Sequence, residues 1–124
     1  MLVLGLEGSA NKLGIGIVNE QAQILANVRH TFVTAPGTGF LPRETSQHHQ
    51  QWIIGLIKDA LHEAGLRPDQ LHLIAYTKGP GMGAPLQAVA VVARLLSQIW
   101  SLPLRFFIPL FLKPRHSLSF TQQY

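Results

Sequence analysis

Residues 71–100 read LHLIAYT-KGPGMGAP-LQAVAVVARLLSQIW, and the order of elements around this stretch decides the fold class. Leu71 to Thr77 is a short, mostly apolar run bounded by turn signals, which predicts a buried strand. From Pro85 to Trp100, apolar residues recur as Leu86, Val89, Val92, Ala93, Leu96 and Ile99. That spacing predicts a helix apolar on most sides, lying inside an assembly or against a partner. Between strand and helix stand three glycines and two prolines, Lys78 to Pro85. This is either a plain turn or a cradle for an anion. Pro85 suits a first helical turn, Gly81 and Gly83 leave backbone N–H groups accessible at the positive helix end, and Lys78 and Gly79 complete the candidate phosphate loop. No Gly-Lys-Ser/Thr follows, so the loop is not a Walker P-loop.

Upstream, Leu2 to Leu6 is apolar. Leu13-Gly-Ile-Gly-Ile-Val18 alternates large residues with glycine, the period of two of a strand. Asn19-Glu20 turns the chain into a third strand over Ala22 to Phe32, with Ile24, Ala26 and Val28 assigned to one face. Thr34 to Pro42 (TAPGTGFLP) is a loop on composition. From Arg43 to Ala64, Trp52, Ile53, Leu56, Ile57, Ala60, Leu61 and Ala64 mark an amphipathic helix, with Gly65 placed to cap it. Downstream, Leu102 to Leu104 begins another strand that Phe106 to Leu112 could extend, although Pro109 and Pro114 oppose a regular central strand. The order is three antiparallel strands, a helix, a strand, a helix and a strand. It predicts an α/β fold with a mixed sheet, parallel strands being added through two main helices. This is the order of one lobe of the ribonuclease-H-like, actin-like ATPase folds.

At 124 residues the chain holds one small domain. The absence of cysteine removes disulfides, thiolate metal sites and cysteine nucleophiles. The net charge of +4 is concentrated at the end: Arg105, Lys113 and Arg115 fall in the last 20 residues, which carry no acid. Residues 1–104, with seven basic and six acidic groups, are nearly neutral, so the basic balance argues little for nucleic-acid binding by the folded part. No apolar run reaches the roughly 20 residues of a bilayer span, and the opening Leu2-Val-Leu-Gly-Leu6 lacks the basic region of a secretory signal. A location in cytoplasm and nucleus, without a membrane, is the expectation.

A second stretch with chemistry is Glu7 to Lys12 (EGSANK), joining the first two strands. Ser9, Asn11 and Lys12 beside glycine suit a phosphate or carboxylate, but Gly, Ser and Asn are also what any hairpin turn prefers, and taken alone the loop reads first as a turn. Gly14 and Gly16 either admit a ligand or ease sheet twist and packing. Histidines 30, 48, 49, 62, 72 and 116 form no metal cage on spacing, and most are expected to be solvated; His48 and His49 are adjacent and about 100° apart on a helix.

Taken together, Gly5 to Gly16 (GLEGSANKLGIG), Thr31 to Pro42 (TFVTAPGTGFLP), His48-His49 and Ala75 to Pro85 (AYTKGPGMGAP) resemble the N-terminal part of the tRNA threonylcarbamoyladenosine synthase family. The likeness is to its archaeal and eukaryotic cytosolic form, the catalytic subunit of the KEOPS complex, also called O-sialoglycoprotein endopeptidase-like, and runs from about residue 2 to 104. The resemblance implies transfer of a threonylcarbamoyl group from its adenylate to the adenosine beside the anticodon of tRNAs reading ANN codons. It implies a two-lobed actin-like fold with a divalent metal, iron or zinc, and an adenylate or ATP ligand. Implied partners are tRNA, a small kinase-like subunit and a small dimerising subunit that packs on helices of the N-terminal lobe.

After Leu104 the pattern departs. The family continues into a His-x-x-x-His motif whose histidines hold the metal, and the corresponding places here are Pro109 and Lys113. Residues 105–124 therefore read as a divergent tail from a frameshift, retained intron or alternative exon, and residues 1–104 as the N-terminal lobe. A truncated chain without catalytic competence, and without a bound cofactor of its own, is the expectation. A non-catalytic module that binds the dimerising subunit is the alternative.

Overall fold

The computed structural model describes residues 1–108. Within these residues five strands form one sheet in the order β3-β2-β1-β4-β5, with β1 Leu2–Glu7, β2 Lys12–Asn19, β3 Ile24–Thr31, β4 Leu73–Thr77 and β5 Leu104–Phe107. β1, β2 and β3 pair antiparallel; β4 joins β1, and β5 joins β4, in parallel. Helix α1 (Pro42–Ala64) carries the chain from β3 to β4, and α2 (Gly83–Ile99) carries it from β4 to β5. The mixed sheet and two helices are those expected from the sequence.

Alternation in β1 and β2 explains the layering. Leu4 faces Ile17 and Leu6 faces Ile15 across the ladder; all four are buried, together with Leu13, beneath the two helices. The intervening pairs, Gly5 with Gly16 and Glu7 with Gly14, lie on the opposite face. Ile53, Ile57 and Ala60 of α1 and Val89, Ala93 and Leu96 of α2 complete this core.

α1 ends as predicted, at Gly65 with φ 67°, whose N–H is donated to the carbonyls of the last turn. α2 buries Pro85, Val89, Ala93 and Leu96 and leaves Val91, Leu95 and Ile99 exposed on its other side. Ile24 departs from its predicted face. A bulge sets Val18 opposite Ile24 while Ile17 stays opposite Ala26, and this slip puts Ile24 on the other face, 68% exposed. Among the described residues no helix is long and apolar enough to cross a membrane.

Candidate functional site

β1 and β4 are parallel neighbours, so their C-terminal ends emerge together and place the segments after Glu7 and Thr77 side by side. Carboxyl ends of strands in open α/β sheets are where ligands bind. Here the two loops are joined directly: the Met82 N–H donates to the Ser9 carbonyl at 2.8 Å. Gly81 lies so close to Ser9 that a Cβ on it would stand 2.5 Å from the Ser9 carbonyl oxygen. The absence of a side chain at Gly81 thus serves contact between loops.

The first loop is also closed on itself. Glu7 Oε1 accepts from the Ser9 N–H at 2.7 Å and from the Ser9 hydroxyl at 2.5 Å. Glu7 therefore organises the loop, and the Ser9 hydroxyl proton is engaged by it. The Asn11 carbonyl accepts from the Phe32 N–H, fixing the loop to the end of β3.

The second loop leads into α2, which starts at Gly83 with Met82 as its cap and no side-chain cap. Pro80 and Pro85 have no N–H, and that of Met82 is held by Ser9, leaving Gly81, Gly83 and Ala84 as exposed backbone donors at the positive end of the helix. Gly79 precedes a cis bond to Pro80, and among the described residues a Cβ there would meet only Leu86, at an ordinary 3.9 Å.

The two candidate lysines serve different hollows. Lys12 lines one of about 430 Å³ on the helix-free sheet face, with Glu7, Gly14, Gly16, Asn27 and Arg29. Lys78 lines another of about 390 Å³ with Tyr76, Gly83, Gln87 and Arg94, its ammonium 4.2 Å above the Phe106 ring. The structure thus unites Ser9 with Gly81 and Met82, while Lys12 and Lys78 border separate openings.

The histidines correct the sequence-based expectation of solvation at two positions. His49 is fully buried and His48 nearly so. Their rings turn toward each other despite the helical offset, the Nδ1 atoms 2.8 Å apart. His49 Nε2 donates to the Ala10 carbonyl at 2.8 Å, and His48 Nε2 lies 2.7 Å from His30 Nδ1. His30 in turn stacks on Trp52 at 3.6 Å between ring centroids. Burial, then the neighbouring His49 and His30, push His48 down to about 4. Burial also lowers His49, against the opposing pull of the Ala10 and Gly8 carbonyls and of Glu7. Spacing along the chain gave no signal for this cluster, because His30 reaches α1 only through the fold.

The donor chemistry of the described residues does not fit the metal that the family resemblance implies. Among the described residues no group of three or more His, Cys, Asp or Glu gathers to hold an ion. Pro109 and Lys113, which the resemblance implies for the family's ligand positions, lie outside the described residues; proline has no side-chain donor, and lysine is cationic at neutral pH.

The family TsaD, tRNA N6-adenosine threonylcarbamoyltransferase, matches residues 23–107. The enzyme of that name from Rattus norvegicus is 61% identical over 102 residues, covering 82% of this chain and 30% of the relative. A probable counterpart from Dictyostelium discoideum is 55% identical over 102 residues, with the same coverage of each. The chain thus spans about 30% of the length of these curated relatives. Among solved structures, YeaZ from Pseudomonas aeruginosa superimposes with a TM-score of 0.68 at 19% identity, over 86% of this chain and 42% of that one. RuvC from T. thermophilus, in complex with a Holliday junction substrate, gives 0.54 at 15% identity, over 88% and 65%. These two likenesses fix the fold as ribonuclease-H-like and actin-like.

Proposed function

Because the chain belongs to the TsaD family of tRNA N6-adenosine threonylcarbamoyltransferases, we propose that it forms the N-terminal wall of that enzyme's ligand cleft. The whole protein, in this reading, moves a threonylcarbamoyl group from threonylcarbamoyl-adenylate to the adenosine beside the anticodon of tRNAs reading ANN codons. The observation that carries the reading is the seating of the two loops on each other at the ends of β1 and β4, through Met82 N–H and Ser9. Ser9, Asn11, Lys12, Lys78, Gly79, Gly81 and Gly83 are the proposed ligand-facing residues. Donors at the start of α2, with Lys78 nearby, suit the phosphate of an adenylate or ATP. The divalent metal, iron or zinc, is proposed to belong to the whole enzyme.

As an isolated 124-residue polypeptide the chain is proposed to be catalytically incompetent, since it offers one wall of the cleft and Pro109 and Lys113 where the family has histidines. A chimera in which residues 1–104 replace the matching stretch of the rat relative is expected to transfer threonylcarbamoyl to tRNA. The isolated chain is expected to give no product above a blank without enzyme. A folded but inactive chimera overturns the family reading for this lobe; transfer by the isolated chain overturns its incompetence.

A second reading, an interaction module, is favoured by Ile54 of α1 and Val91, Leu95 and Ile99 of α2, all exposed. Its proposed partner is the small dimerising subunit of the KEOPS complex, in cytoplasm and nucleus, with the kinase-like subunit in the same assembly. Capture of the purified dimerising subunit by the chain supports this reading, and failure to capture it counts against it.

A further inference from the structure

The three ring contacts joining His30, His48 and His49 to Ala10 leave room for one neutral arrangement of protons. The Ala10 carbonyl can only accept, so His49 Nε2 carries the hydrogen and His49 Nδ1 is an acceptor. His48 must then donate through Nδ1, which makes its Nε2 an acceptor, and His30 must donate through Nδ1. The direction of the whole series is set at the loop end, and it terminates beneath the segment that carries Ser9. Gly8 is pressed against the same ring: a Cβ on it would come within 2.9 Å of His49 Cδ2 and 2.5 Å of Val89 Cγ2.

We infer that His49, oriented by His48 and His30, is a positioning residue that holds the Gly8–Ala10 segment where Ser9 can lock Met82, and so sets the geometry of both loops at the cleft. The inference rests on these loops facing the ligand, as proposed above, but its tests need no ligand. Among the described residues, the groups facing the relay are few. From the β1–β2 loop Glu7 favours a protonated His49; from β3 comes His30; Val89 of α2 and the Phe32 and Trp52 rings bring no charge. Adding a proton to His49 would place it on Nδ1, against the His48 Nδ1–H. The series would then have to reverse, His48 and His30 both passing to the Nε2–H form, or the ring contact would break.

The test is side-chain ¹⁵N NMR of the full chain near neutral pH. The expected pattern is Nδ1–H for His48 and His30, against the usual preference of histidine, and Nε2–H for His49. An Nε2–H His48 overturns the relay. Amide exchange at Met82 reads the loop contact. His49→Phe fills the space but removes both nitrogens, and is expected to speed Met82 exchange about ten-fold, the worth of one hydrogen bond, with strand β2 unchanged. His49→Gln keeps a donor toward Ala10 and is expected to stay near the original rate. Unchanged exchange in His49→Phe would reduce the ring to a filler and overturn the positioning role. Should that variant fail to fold, the ring tautomers and His49→Gln still decide: fast Met82 exchange in a folded His49→Gln counts against a role through the Ala10 bond. An inactive chimera with the expected tautomers would overturn the functional reading alone.

Discussion

At Gly81 the space for a single methyl group decides whether two loops can touch. A Cβ there would stand 2.5 Å from both the Cβ and the carbonyl oxygen of Ser9, and neither can retreat without breaking the Met82 bond. Gly81→Ala is expected to cost about 1–3 kcal/mol in denaturant unfolding and to raise Met82 amide exchange. Gly83 has open space around it, so Gly83→Ala is the matched control. Thr77, the last residue of β4, poses the opposite case. It is fully buried, and its hydroxyl has no hydrogen-bond partner among the described residues. Thr77→Val is expected to stabilise the chain by about 1 kcal/mol, because it removes a desolvated group that gains nothing in return. A lower unfolding midpoint would mean the hydroxyl is satisfied. Sequence alone marked Gly81 as special for its loop composition. It could not say that Ser9 was the neighbour requiring it.

At the scale of elements, α1 shows how much a short-range signal can specify. Its apolar spacing and Gly65 were sufficient to place the helix, because a left-handed residue is needed at that end and only glycine adopts it without a side-chain clash. Gly65→Ala is therefore expected to lower stability by about 1–2 kcal/mol, although a Cβ at that site meets nothing, and Gly65→Asn by less; thermal unfolding of the two variants checks this. β3 was less legible. Its alternation predicted Ile24 on the face of Ala26, but the bulge near Val18 shifts the pleat by one residue, and a bulge depends on how two strands pair. For α2, apolar residues on most sides of the helix do not state which side meets the sheet; packing puts Val89, Ala93 and Leu96 there.

At the scale of the whole molecule, burial of His48 and His49 ties stability to pH. His48 has its folded value near 4, below the ordinary 6.5, so between those values the unfolded chain binds more protons than the folded one. Stability should thus be complete above about pH 6.5 and decline as the pH falls toward 4; His49 acts in the same direction. From about pH 7 to about pH 5 the expected loss is on the order of 1–2 kcal/mol, measured as a lower urea midpoint. An unmoved midpoint would mean that the pair titrates normally in the folded chain.

Element order, the ends of α1, the two glycine-bearing loops and the family are legible in the sequence, because each is written in local spacing or in runs of matched residues. Tertiary structure alone decided that Ser9 and Gly81 meet, that Lys12 and Lys78 border different hollows, and that three histidines spread over residues 30–49 become one hydrogen-bonded series. The reason is that such contacts depend on which strands lie side by side and on which face of the sheet a helix lands. Those are properties of the packed chain, which periodicity along the sequence does not encode.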